Sequence, residues 1–225
     1  MRYAIYFMPP PGDPLWAFGS SVLGYDAATG KDVAFPGGDD FAELPLADWT
    51  SEPRRYGFHA TLKAPFELAA DYCEADLLAH ARHFSKRAAF TLPPLALVKM
   101  GRFVALISPQ PSPALQALAA DCVRDFDAFR APLSAADRAR RLAHPLPERQ
   151  VQNLERWGYP YVMQDFTFHM TLSGSLGEPD RSILHALLLH AYAPLARPLT
   201  INAIAVCVQP ERNARFRLLE RVAFT

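Results

Sequence analysis

The sequence predicts an α+β fold built on antiparallel sheet. Strand-like and helix-like stretches alternate irregularly rather than in strict βαβα order, and several strands come as adjacent pairs. The order strand, helix, hairpin that begins at Tyr56 recurs from Phe166, which predicts two similar lobes inside one domain spanning residues 1–225.

Met1 to Met8 reads as a first strand ended by Pro9-Pro10-Pro11, with an apolar run too short for a signal peptide. Pro14 to Leu23 follows as a helix with proline at its start. Residues 24–55, rich in turn formers such as Gly37-Gly38-Asp39-Asp40, are expected to make a long irregular excursion, of a length that tends to be functional or mobile. Tyr56 to Leu68 is a strand stopped near Pro65. Glu74 to Arg87 is a helix with Leu77, Leu78, Ala81 and Phe84 at helical spacing. Leu92 to Val98 and Phe103 to Ser108 form a hairpin through Lys99-Met100-Gly101-Arg102. Pro113 to Phe129 is a second amphipathic helix. Short helices at Ala135 to Leu142 and Pro147 to Trp157 lie in a polar connector, about 131–160, that is the candidate linker or cap. Phe166 to Ser173 is a strand, Glu178 to Tyr192 a helix, and Thr200 to Val208 and Arg215 to Phe224 close the chain as strands.

With 225 residues the chain suits one large domain or two small lobes. Lys plus Arg (23) balance Asp plus Glu (23), which argues against holding long nucleic acids or anionic membranes by bulk charge. A local basic pocket for a small anion is compatible with that balance. Cys73, Cys122 and Cys207 are odd in number and far apart, so they supply neither a disulfide framework nor a Cys-x-x-Cys site, and read as reduced, buried thiols. The longest apolar run, Ala186 to Ala191, is far below the roughly 20 residues of a membrane span. The expectation is a cytoplasmic protein without a membrane partner.

The informative text is Phe58-His59-Ala60-Thr61-Leu62 and, 110 residues later, Phe168-His169-Met170-Thr171-Leu172. In a strand alternate side chains share a face, so His59, Thr61 and Lys63 fall on one face and Phe58, Ala60 and Leu62 on the other. The second copy repeats the pattern. One His-x-Thr strand is an ordinary amphipathic strand with a wet side. Two copies in identical register favour function, because a solvated face has no reason to repeat them. Two imidazoles facing one cavity can act as base and acid at neutral pH, with threonine hydroxyls donating to an oxyanion between them. That chemistry suits a phosphodiester. Zinc-type spacings, a Gly-x-Ser-x-Gly elbow and a Walker-type phosphate loop are all absent from the sequence, so neither metal nor cofactor is expected.

The paired segments Tyr56-Gly57-Phe58-His59-Ala60-Thr61-Leu62-Lys63-Ala64-Pro65-Phe66 and Asp165-Phe166-Thr167-Phe168-His169-Met170-Thr171-Leu172 resemble the two-histidine (2H) phosphoesterase superfamily. More narrowly, the chain resembles the branch associated with bacterial phosphonate-utilisation operons. The resemblance implies a bilobal α+β fold with pseudo-two-fold symmetry, helices on the outer faces and one motif per lobe. It also implies a cleft in which small cyclic ribose or nucleotide phosphates are opened, with His59 and His169 as acid and base and Thr61 and Thr171 holding the phosphate. An RNA-end enzyme of the 2′,3′-cyclic phosphodiesterase or 2′,5′ ligase kind is the alternative in the same fold, and a non-catalytic phosphate-binding module the alternative outside catalysis.

Lys63, on the predicted His59 face, is a candidate phosphate ligand or a strand-end lysine reaching water. Arg54 and Arg55 suit a second anionic group or surface ion pairs. Tyr56, Tyr159 and Tyr161 could stack on a base or sugar, or pack in the core. Asp165 is a candidate for orienting a histidine or for a turn. His80, His83, His144, His185 and His190 read as structural or exposed, and the run Arg138, Arg140, Arg141 as a solvated helix face.

Overall fold

The structure is a computed structural model that describes residues 1–225. In chain order its elements are β1 (Arg2–Phe7), α1 (Pro14–Leu23), β2 (Tyr25–Asp26), β3 (Lys31–Asp32), the single-turn helices α2 (Asp39–Ala42), α3 (Leu46–Trp49) and α4 (Ser51–Arg54), β4 (Ala60–Phe66), α5 (Glu74–Phe84), β5 (Phe90–Leu92), β6 (Ala96–Met100), β7 (Phe103–Ile107), α6 (Pro113–Asp125), α7 (Ala135–Arg141), α8 (Glu148–Trp157), β8 (His169–Thr171), α9 (Asp180–Tyr192), β9 (Leu199–Ile201), β10 (Ala203–Gln209) and β11 (Arg217–Ala223). None of the helices is long and apolar enough to cross a membrane.

Seven strands form one sheet in the order β11-β10-β1-β4-β8-β7-β6, and every pairing in it is antiparallel. The repeat is visible in the element order. β4-α5-β5-β6-β7 and β8-α9-β9-β10-β11 run through the same sequence of strand, helix, short strand and hairpin. The two short strands, β5 and β9, pair with each other in a separate ribbon, and the two hairpins end up at opposite edges of the large sheet. The halves of that sheet meet at one register pair, Ala60 opposite Met170.

Helices α5, α6 and α9 cover one sheet face, where Leu77, Ala81, Leu115, Leu118, Leu184 and Leu188 join Ile5, Phe7, Leu62, Leu106 and Met170 in the main core. Their starts follow local chemistry. Ser112 accepts the Leu115 N–H ahead of α6, and Asp13 accepts the Leu15 N–H ahead of α1, each followed by proline in the first turn. A smaller cluster on the other face contains Tyr6, Met8, Trp16, Tyr25, Cys207 and Phe216.

Several expected boundaries move. The segment expected as the strand Leu92 to Val98 divides into β5 and β6 around Pro93-Pro94, since proline has no N–H to give a ladder. The excursion 24–55 holds a short hairpin and three single helical turns rather than irregular chain. Strands β4 and β8 begin at or after their histidine, shorter than the alternation suggested, because the residues before it leave the ladder. Cys122 and Cys207 are buried as expected, but Cys73 is exposed, placed just ahead of α5 and outside the core.

Candidate functional site

The site follows from one register. Ala60 and Met170 are opposed in an antiparallel pair, so one step along each strand sets His59 across from Thr171 and Thr61 across from His169. The side chains of Phe58, Ala60, Leu62, Phe168, Met170 and Leu172 are all buried in the core. By alternation His59, Thr61, His169 and Thr171 project from the opposite face, and all four are half-buried. The local two-fold axis of that strand pair thus relates one His-x-Thr copy to the other.

Both imidazoles are held in the same way. His59 Nδ1 donates to the Gly57 carbonyl at 2.8 Å, and His169 Nδ1 donates to the Thr167 carbonyl at 2.8 Å. A carbonyl only accepts, so in the neutral rings Nδ1 carries the proton and Nε2 keeps its lone pair. The Thr61 hydroxyl donates to His59 Nε2 at 3.1 Å. Gly57 makes this bracket possible: its φ of 73° lies in the left-handed region, and a Cβ there would meet the Ala27 Cβ at 2.7 Å. Phe58 is locked against α1, because the bare Gly19 backbone lies where a Cβ would strike the Phe58 ring at 2.1 Å.

Tyr6 stacks on His59 with ring centroids 3.8 Å apart, and Phe103 stands 6.2 Å from His169. Burial pushes the His59 imidazole down to about 4; the Gly57 hydrogen bond opposes this, and the charge of His169 adds to it. The two rings therefore sense each other, and His59 is neutral at pH 7.

A family model described as "Protein of unknown function (DUF1045)" matches residues 61–217. The chain belongs to the DUF1045 family. Two relatives carry the name "Ribose 1,5-bisphosphate phosphokinase PhnN". The protein from Janthinobacterium sp. (strain Marseille) is 36% identical over 230 residues, covering 100% of this chain and 51% of its own length. The one from Laribacter hongkongensis (strain HLHK9) is 38% identical over 225 residues, covering 99% and 52%. The DUF1045 chain thus spans about half the length of these relatives. Similar solved structures, the kind that the resemblance to 2H phosphoesterases leads one to expect, include E. coli LigT complexed with 3′-AMP and TT0787 of Thermus thermophilus. The first has a TM-score of 0.47 at 15% identity, the second 0.46 at 12%, and each covers 100% of this chain and 98% of the other.

Other expected site residues of the DUF1045 chain fall elsewhere. Lys63 is not on the histidine face. Strand β1 pairs Tyr6 with Thr61 but Ile5 with Lys63, so a β-bulge at Leu62–Lys63 turns the lysine to the helix-covered side. There it is 3% exposed, donates to the Val123 carbonyl at 2.9 Å and pairs with Asp127 at 3.1 Å. Burial lowers its pKa to about 8 against the pull of Asp127. Arg55 is exposed and reaches the Arg212 carbonyl, while Arg54 is spent on the Leu23 and Ala47 carbonyls and on Thr50. Asp165 binds Arg149, Gln150 and Asn153 rather than a histidine.

Tyr56 does reach the site, with its ring 6.1 Å from His59 and stacked on Phe216. Tyr6 had no signal in the sequence, because it enters only through the pairing of β1 with β4. Arg138 and Arg140 pair with Glu155 and Asp137 as a solvated face should, but Arg141 turns inward over Tyr159. The largest hollow, about 770 Å³ and lined by Tyr25, Asp32, Arg215 and Leu218 among others, includes none of the motif residues. Arg215 there already pairs with Asp32, so the paired imidazoles remain the better candidate for chemistry.

Proposed function

We propose that the chain is a metal-independent cyclic phosphodiesterase that opens a small cyclic ribose or nucleotide phosphate, acting in phosphonate metabolism. The observation that carries this is the register Ala60 opposite Met170, which sets two His-x-Thr pairs face to face on one side of the sheet.

With the phosphate between the rings, Thr61 and Thr171 donate to its non-bridging oxygens. His59, neutral and with Nε2 unprotonated, takes a proton from water as the water oxygen bonds to phosphorus. The bond from phosphorus to one ribose oxygen breaks on the opposite side, and His169, protonated, gives that oxygen its proton. The product is a phosphate monoester, and proton exchange with solvent resets the two rings. The name of the two relatives supports the substrate class, because opening a cyclic ribose phosphate yields a ribose phosphate monoester of the sort a ribose bisphosphate kinase acts on.

The test is turnover of a panel of ribose and nucleoside cyclic phosphates in the presence of EDTA. Hydrolysis is expected without added metal, and His59→Ala and His169→Ala should each lower turnover about 10²-fold or more. Full activity in both variants removes the assignment. Binding without turnover by the native protein selects the phosphate-binding module instead.

A further inference from the structure

Beside His59 the structure gathers polar atoms that bind nothing. Tyr6 is 0% exposed, its ring lies on His59, and its hydroxyl has no hydrogen-bond partner. Arg141, the last residue of α7, has a buried Nε that is likewise unpartnered. Its guanidinium carbon lies 4.8 Å from the centre of the Tyr159 ring. No acidic residue pairs with it: Asp137 is taken up by Arg212 at 3.0 Å and Arg140 at 2.7 Å. Tyr56 and Tyr159 complete the wall, both close enough to the Tyr6 hydroxyl to raise its pKa, although burial is the main cause. Burial also raises the Tyr159 phenol, so both hydroxyls stay protonated donors.

A buried donor without a partner costs about 1 to 3 kcal/mol. Two such donors within one wall, next to a guanidinium with no counter-ion, are what a site for an oxyanion looks like before its ligand arrives. The wall is also held in place. Arg212 on the β10–β11 turn ties α7 through Asp137 and ties Glu67 at the end of β4, and Arg138 ties α7 to Glu155 of α8.

We propose that Arg141, with the Tyr6 and Tyr159 hydroxyls, forms a second anion subsite. It takes a terminal phosphate monoester on a substrate whose cyclic phosphate lies between His59 and His169. The preferred substrate is then a cyclic ribose phosphate that carries a second phosphate, and the connector that bears Arg141 is a specificity wall. This rests on the phosphodiesterase reading above.

The experiment measures kcat/KM, with EDTA present, on adenosine 2′,3′-cyclic phosphate with and without a 5′-phosphate, for the native protein, Arg141→Gln and Arg141→Lys. Titration calorimetry of ribose 5-phosphate into the same proteins runs alongside, with circular dichroism as a check of folding. The native protein should prefer the 5′-phosphorylated substrate about tenfold or more. Arg141→Gln should lose about 10- to 100-fold on that substrate, chiefly in KM, and at least tenfold more than on the plain one, the range set by hydrogen bonds to a charged group. Arg141→Lys should recover part of the loss, because it keeps the charge but not the fork. Absence of a native preference, or equal losses on both substrates, overturns the subsite. If neither substrate turns over, the phosphodiesterase reading fails and the titration still decides: binding of ribose 5-phosphate weakened tenfold or more by Arg141→Gln sustains the subsite. Equal binding by both proteins, or none by the native one, overturns it.

Discussion

Acidification should destabilise this protein through one residue, His59. Its imidazole titrates at about 4 in the folded chain against an ordinary value near 6.5. The folded state thus resists a proton that the unfolded state accepts. Above pH 6.5 both states hold a neutral ring and the contribution is fully present. As pH falls from 6.5 towards 4 the unfolded state is protonated first, and stability is lost. A shift of about 2.5 pH units corresponds to at most roughly 3.4 kcal/mol at about 1.36 kcal/mol per unit. Because the residue keeps some exposure, about 2 to 3 kcal/mol is the realistic loss. Urea denaturation at intervals between pH 7 and 4, followed by tryptophan fluorescence, measures it. His59→Gln should remove that share of the acid loss while the urea slope m stays constant. An identical pH dependence in the native protein and His59→Gln would refute the neutral, buried imidazole and with it the role of His59 as base.

The buried Lys63 yields a second test by contrast. Asp127→Asn leaves an ammonium at 3% exposure without its counter-charge and should cost about 3 kcal/mol or more. Lys63→Met should stay within about 1 kcal/mol, because Asp127 keeps Arg130 at 2.8 Å, and KM for a cyclic phosphate should not move. A large rise in KM would return Lys63 to the binding site. Gly57→Ala should cost about 1 to 3 kcal/mol in urea denaturation, from its left-handed φ and the approach to Ala27, and should lower turnover by displacing the carbonyl that holds His59. Unaltered stability and turnover would show that the bracket at Gly57 is not needed.

The two motifs were legible because strand alternation is a local rule. Each apolar member of Phe58-His59-Ala60-Thr61-Leu62 and of its second copy is buried, and each His and Thr is half-buried, as period two requires. The same rule failed two residues later at Lys63. A bulge is a property of two paired strands, and nothing in Leu62-Lys63 alone announces that both will oppose Ile5. Arg54, Arg55 and Asp165 failed for a related reason: a charged side chain goes to whatever acceptor or donor lies within reach, and their partners are far along the chain or on other elements.

From its sequence alone this protein declares an antiparallel α+β fold, a repeated strand, helix and hairpin order, and the identity of four polar residues, since all of these follow from periodicity and local residue preference. That His59 stands across from Thr171, that Tyr6 lies on its ring, and that Arg141 turns from a solvated helix towards the same wall were decided by strand order and packing. Those placements depend on contacts between residues distant along the chain, which no local pattern encodes.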